Sequence, residues 1–276
     1  MRDGQPSSTA RGAAAYRAIH QTQEQAAIFR DPFAEKILDA ATHATLEEIA
    51  ADPSRRGIRL FIVSRSRFSE EALAASVARG ARQVVVLGAG LDTFALRNPY
   101  SDVRVFEVDF PATQAWKHER LRDAGLAVPD MLTFAPVDFE RESLADGLAR
   151  AGFRHDRPAF FQWLGVTPYL TRETISSTLD FIAGIPGSAV AFDYTEPLES
   201  QSPARRASLT TMAESAAARG EPWLSFFDPP EIAAILRDKG FRDIEDLGFA
   251  DVIKHYSPEL GRGLQPGGGH VIRAAR

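Results

Sequence analysis

The sequence predicts an α/β protein with a doubly wound, largely parallel sheet, and three observations carry that expectation. Short β-branched or aromatic runs recur along the chain, helix-compatible stretches separate them, and the first run closes on a glycine-rich turn. A strand covered on both faces reads as a continuous apolar run, and these runs have that character.

Taken in order, residues 1–12 are polar and rich in Gly, Ser and Pro, which predicts a flexible start. From Ala13 to Ala51 apolar residues recur at helical spacing, broken at Asp31-Pro32, and a further helix runs on from Arg55, so 13–80 is expected as a helical prefix. Gln83-Val-Val-Val-Leu87, closed by Gly88, is the first buried strand. Val103–Val108, Leu132–Val137, Ala159–Leu164 and Ala189–Asp193 repeat the pattern. Pro111–Ala124, Arg141–Ala151 and Thr171–Ala183 are the intervening helices, the last with Thr171 as its cap, and right-handed crossovers place them on both faces.

After Asp193 the pattern changes. The polar stretch Glu196–Arg219 and the segment Pro222-Trp-Leu-Ser-Phe-Phe227 predict an insertion, 195–227, near the mouth of a site. Asp228–Gly240 has a cap residue, prolines in its first turn and a glycine stop, which makes a helix. Phe241–Leu247 and His270–Ala274 bring the strand count to seven, and Gly267-Gly-Gly269 turns into the last of them. The expectation is one domain, 13–276, with 81–194 as its ligand-binding core and 228–276 as a C-terminal helix and strands.

Composition narrows the function. The 276 residues are 44% hydrophobic and carry a formal net charge of −5, against a general nucleic-acid binder, which needs a basic face. Cysteine is absent, which removes disulfides, thiolate metal sites and a cysteine nucleophile. Neither a signal peptide nor a membrane span is read in the chain, so a cytoplasmic location with no membrane partner is expected. His20, His43, His118, His155, His255 and His270 have no ligand spacing, so no metal is expected, and no Gly-x-Ser-x-Gly elbow supports a serine hydrolase.

The turn Gly88-Ala-Gly90 suits close approach of the backbone to a ligand, because glycine has no Cβ. Alone it also fits a purely steric strand-to-helix turn. About 20 residues on, the next strand ends with Glu107 and Asp109, where a carboxylate can accept from two ribose hydroxyls. A third glycine is missing and Leu91-Asp92 stand where a pyrophosphate would rest, so an adenosine ligand without phosphate fits better than a dinucleotide. Asp138, at the end of the third strand and followed by the apolar Phe139, is a candidate to accept from an adenine amino group; a helix cap is the other reading of it.

Val86-Leu-Gly-Ala-Gly-Leu-Asp-Thr93, Val105-Phe-Glu-Val-Asp-Phe-Pro111, Val137-Asp-Phe139 and Gly165-Val-Thr-Pro-Tyr-Leu170 together resemble the leucine carboxyl methyltransferase family, in particular its bacterial, polyketide-associated O-methyltransferases. Asp31-Pro-Phe-Ala, Arg65-Ser-Arg-Phe68, Gly220-Glu-Pro-Trp223 and Gly240-Phe241 extend the likeness over nearly the whole chain. The resemblance implies a Rossmann-like class I methyltransferase: a seven-stranded, mostly parallel sheet with its last strand antiparallel, preceded by a helical prefix and carrying a helical insertion after strand five. It implies S-adenosyl-L-methionine as cofactor, S-adenosyl-L-homocysteine as product, and a small-molecule acceptor methylated on a carboxylate or hydroxyl.

By the same resemblance, Arg65, or Arg67 two residues on, binds the methionine carboxylate, whose geometry a guanidinium fork matches. Gly88 and Gly90 line the methionine end, Asp109 holds the ribose with Glu107 in support, and Asp138 and Phe139 hold the adenine. The chain departs from the family pattern at Leu164, where many relatives carry an acidic residue. Tyr169 and Trp223 are the candidate substrate contacts, with core packing as their other reading. A nicotinamide-dependent reductase, and a cofactor-binding module without turnover, remain as alternatives, and the sequence leaves the oligomeric state open.

Overall fold

The computed structural model describes residues 8–138 and 141–276. Its prefix holds α1 (Ser8–Gln23), the short α2 (Ala40–His43) and α3 (Leu46–Ala51), and the long α4 (Arg56–Ala78). Alternating strands and helices follow: β1 (Gln83–Leu87), α5 (Phe94–Arg97), β2 (Arg104–Asp109), α6 (Pro111–Asp123), β3 (Leu132–Pro136), α7 (Leu144–Arg150), β4 (Ala159–Trp163), α8 (Arg172–Ala183) and β5 (Ala189–Thr195). The insertion forms α9 (Pro203–Ala218), and α10 (Pro229–Asp238), β6 (Asp243–Gly248), α11 (Phe249–Tyr256) and β7 (Gly269–Ala275) complete the chain.

The strands form one sheet in the order β3-β2-β1-β4-β5-β7-β6, with β7 antiparallel to both neighbours and the other pairs parallel. The chain winds outward in opposite directions from β1 and β4. In open α/β sheets the crevice beyond the carboxyl ends of such a strand pair is where ligands bind.

Period-two alternation divides the central strands between two cores. Val85, Leu87, Phe161, Trp163, Val190 and Phe192 point to one face, where Leu144 and Leu148 of α7, Ile175 and Leu179 of α8 and Ile232 of α10 cover them. Val84, Val86, Phe160 and Ala191 point to the other, against Ala72 and Leu73 of α4. Each fully buried aliphatic or aromatic side chain contributes about 1.5–3 kcal/mol, so the central strands supply much of the driving force. A third core joins α4 to the C-terminal part: Phe61 stacks on Phe249, and Val252, Ile253 and Val271 close around them.

Several boundaries differ from the sequence expectation. The prefix is not helical throughout 13–51: residues 24–39 form turns, with Gln25 and Ala26 at positive φ. The helix expected over Arg141–Ala151 begins at Leu144, because the Ser143 hydroxyl accepts from the Asp146 N–H and caps it there. Thr171 caps α8 as expected, accepting from the Thr174 N–H. Asp228 precedes α10 without a side-chain cap bond. The helix α11 went unread in the sequence, where eight residues after a strand are too short a window for helical periodicity to stand out. No helix among the described residues is long and apolar enough to cross a membrane.

Candidate functional site

The turn after β1 is where the backbone is most constrained. Gly88 and Gly90 have φ of +64° and +46°, in the left-handed region that favours glycine. A Cβ on Gly88 would lie 2.4 Å from Val166 Cγ2, and one on Gly90 would lie 2.7 Å from the Ala10 Cβ. Both glycines are therefore required by backbone sign and by space. The turn is pinned to β2, since the Ala89 N–H donates to the Val108 carbonyl.

Asp109, at the end of β2, ties the same two segments together through its side chain. It accepts from the Gly90 N–H at 2.6 Å and from the Phe110 N–H at 2.7 Å. Burial raises its carboxyl above the ordinary range, against these two backbone donors. Glu107, two residues earlier, does not line the cavity that Asp109 faces. It is fully buried, paired with Lys117 at 2.6 Å, and burial, only partly offset by the Lys117 ammonium, pushes its carboxyl up to about 7. Lys117 also donates to the Asp92 carbonyl, so the pair braces the turn from beneath.

A cavity of about 980 Å³ opens above these residues, along the crevice between β1 and β4. Its floor holds Gly88, Gly90, Asp109 and Asp138. Arg65 of α4 lines it as well: its Nη1 donates to Asp193 at 2.6 Å, while its buried Nε has no hydrogen-bond partner among the described residues. Arg67 points elsewhere, to Glu71 and across the Tyr256 ring. Of the two arginines, Arg65 is the one at the cavity. Tyr169 lines the cavity, whereas Trp223 does not: its ring packs edge-on against Phe226, and the next residue, Leu224, faces the cavity instead. Phe139 lies outside the described residues, so the structure says nothing of its placement. Leu164 lines the cavity as an apolar side chain.

Several site residues were not singled out in the sequence. Arg17 of α1 lines the cavity, donating to the Leu91 carbonyl at 2.7 Å and to Asp31 at 3.0 Å. Asp31 also accepts from the Thr93 hydroxyl at 2.7 Å, with Arg97 3.8 Å away. Burial opposes ionisation of Asp31, but Arg17, Arg97 and Thr93 outweigh it and hold the carboxyl below its ordinary value. The motifs around Asp31 and Thr93 are thus two halves of one buried network that fixes the turn to the prefix. Asp193 performs a similar service across the crevice, accepting from Arg65 and from the Gly165 N–H at 2.6 Å. Thr9 of α1 donates to Glu221 at 2.6 Å, so the first helix and the insertion meet above the cavity.

These features suit S-adenosylmethionine. The glycine cradle admits a ligand against bare backbone, a carboxylate stands where a ribose is read, and a guanidinium with an unpartnered N–H stands where the amino-acid end would lie. The comparisons agree. The family model "Leucine carboxyl methyltransferase" matches residues 10–183. YktD of Bacillus subtilis, a candidate S-adenosyl-L-methionine-dependent methyltransferase, is 38% identical over 194 residues, which are 69% of this chain and 64% of that protein. A Mycobacterium avium protein named in the same way is 29% identical over 94% of this chain and 90% of its own. In fold, the crystal structure of a candidate methyltransferase from Thermobifida fusca is similar over 100% of this chain and 96% of its own, with a TM-score of 0.60 at 17% identity. The chain belongs to the leucine carboxyl methyltransferase family of S-adenosylmethionine-dependent methyltransferases, built on the class I fold.

Proposed function

We propose that the protein is an O-methyltransferase that transfers the methyl group of S-adenosylmethionine to a carboxylate or hydroxyl of a small molecule, with a polyketide-type intermediate as the acceptor that the family resemblance favours. The observation that carries this reading is the continuity of the cavity. It runs from Asp138 and Asp109, past the glycine turn, to a second end lined by Tyr169, Leu170, Pro222 and Leu224. At about 980 Å³ it is at the upper end of the roughly 300–1,000 Å³ of small-molecule sites, with room for an acceptor beside a cofactor.

The bound cofactor supplies an electrophilic methyl group on a sulfonium. The chain's own residues bind and orient. Asp109 takes the ribose hydroxyls, Asp138 and Phe139 the adenine, Arg65 the methionine carboxylate, and Gly88 and Gly90 let the backbone approach. Glu107 supports Asp109 from within the core through Lys117 rather than by contact. Tyr169 and Leu224 face the acceptor, and α1 with 220–224 excludes water, so that proximity and alignment do most of the work. A carboxylate acceptor, with a pKa of ~4, is ionised at neutral pH and needs no general base. Among the described lining residues the groups able to act as a base are carboxylates and Tyr169, with no histidine or lysine. This favours the carboxylate over a phenol of pKa ~10, which gains from a base tuned closer to neutrality.

The test is transfer of labelled methyl from S-adenosylmethionine to a panel of small carboxylic acids, phenols and amines. Label recovered as a base-labile ester or as a methyl ether is the expected result. Label recovered on amines alone would overturn the reading.

A further inference from the structure

The cofactor's amino-acid end carries an ammonium as well as a carboxylate, and a buried ammonium needs an acceptor, best a charged one. The lining carboxylates are Asp92, Asp109, Asp138 and Glu221. Asp109, which accepts from the Gly90 and Phe110 N–H groups at the end of β2, is the carboxylate assigned to the ribose hydroxyls. Glu221 is up at the roof, accepting from Thr9, and Asp138 is beside Arg141 beyond β3. Asp92 lies two residues past Gly90, on the turn itself.

Asp92 is also held by a chain of hydrogen bonds that begins on the helix carrying Arg65. Ser69, four residues after Arg65 and so on the same side of α4, donates to the Gln162 Oε1 at 3.2 Å. Gln162, buried on β4, then donates from Nε2 to the Asp92 Oδ2 at 3.1 Å. The other carboxylate oxygen accepts from the Phe94 N–H at 2.7 Å. Each oxygen thus has one donor and capacity for another. Helix α4 therefore brings a guanidinium to one side of the methionine end through Arg65 and orients a carboxylate on the other through Ser69 and Gln162. That charge pattern complements an amino acid in its zwitterionic form. Leu164, which also lines this cavity, offers no side-chain acceptor.

We propose that Asp92 is the counter-ion of the cofactor's α-ammonium, oriented by Gln162 and Ser69. The assignment rests on the reading of the glycine turn as the methionine end of the site. The alternative role of Asp92 is a turn cap alone, which an asparagine fills equally well.

Asp92→Asn separates the two. The variant keeps the acceptor for Phe94, and because the Ser69 hydroxyl both donates and accepts, the Gln162 amide can reverse to match the new NH₂ group. Binding is measured by calorimetry with S-adenosylhomocysteine and with its analogue lacking only the α-amino group. For the wild-type protein the analogue is expected to bind roughly 10- to 100-fold more weakly, the range of one charge-assisted hydrogen bond. Asp92→Asn is expected to lose a similar factor on S-adenosylhomocysteine and little further on the analogue. Asp92→Ser, which retains an oxygen for the Phe94 N–H, repeats the test should the first variant fold poorly. Equal losses on both ligands, or a wild-type protein indifferent to the amino group, would overturn the proposal. A wild-type protein that binds neither ligand would instead overturn the cofactor site on which it rests.

Discussion

The floor and the roof of the cavity are built in different ways. The floor, from Gly88 to Asp138, is nearly contiguous in sequence, and backbone geometry dictates its key residues: positive φ at two glycines and a carboxylate at a strand end. The roof is assembled from α1 and the insertion, which are brought together by contacts such as Thr9 to Glu221, 212 residues apart. A floor of this kind tolerates little change and suits a ligand that does not vary. A roof of side chains from separate segments can change one residue at a time without disturbing the floor.

The largest effect is expected where floor and prefix are joined. Asp31→Ala leaves Arg17 buried without its carboxylate partner, while Arg97 keeps Glu70, and is expected to cost about 3–5 kcal/mol, read by urea denaturation. A loss under 1 kcal/mol would mean that the turn does not depend on the prefix.

Asp109→Ala comes next. If Asp109 accepts from two ribose hydroxyls as proposed, its loss is expected to weaken S-adenosylhomocysteine by roughly 100-fold or more in calorimetry, with the circular dichroism spectrum unchanged. Arg65→Ala should lose roughly tenfold or more and Arg67→Ala almost nothing, since Arg67 is exposed and turned toward Glu71. Equal losses at the two arginines would blur the distinction the geometry draws.

A third expectation concerns the support beneath the floor. The folded-state pKa of Glu107, about 7, lies above its unfolded value near 4.5. The folded protein therefore holds this proton more tightly over that interval. The resulting stabilisation is complete below pH 4.5 and is lost as the pH rises through about 7. Melting temperatures of the wild-type protein should fall between pH 5 and 7.5 relative to those of Glu107→Gln, and parallel curves would contradict this.

The smallest effect belongs to the roof. Thr9→Val removes the hydroxyl's hydrogen bond to Glu221, worth about 1 kcal/mol, and its longer contact with the Tyr169 hydroxyl, and should raise KM for the acceptor a few-fold while leaving cofactor affinity unchanged. A matching loss of cofactor affinity would show that floor and roof are not separable.

The same division explains what was legible in the sequence. β1, β4 and β5 are buried on both faces, so their composition announces them. Gly88, Gly90 and Asp109 are recognisable because turn geometry and strand-end position restrict which residues fit. Arg65 and Arg67 are indistinguishable in a string of letters, and their separation depends on which side of α4 meets the cavity. Glu107 and Asp109 point the same way along β2, yet only the latter reaches the open end of the sheet. Which of Trp223 and Leu224 lines the cavity is unreadable for a similar reason, since an irregular segment has no periodicity to say which side chain faces it. Arg17, Asp193 and Glu221 act through partners 74, 128 and 212 residues distant, and no local pattern marks them.

The most direct measurement is a crystal structure of the protein with S-adenosylhomocysteine. The account predicts the ribose on Asp109, the adenine beside Asp138, and the homocysteine carboxylate on Arg65 with its sulfur facing Tyr169 and Leu224. Density for the ligand anywhere other than across the Gly88–Gly90 turn, or with the ribose away from Asp109, would contradict it.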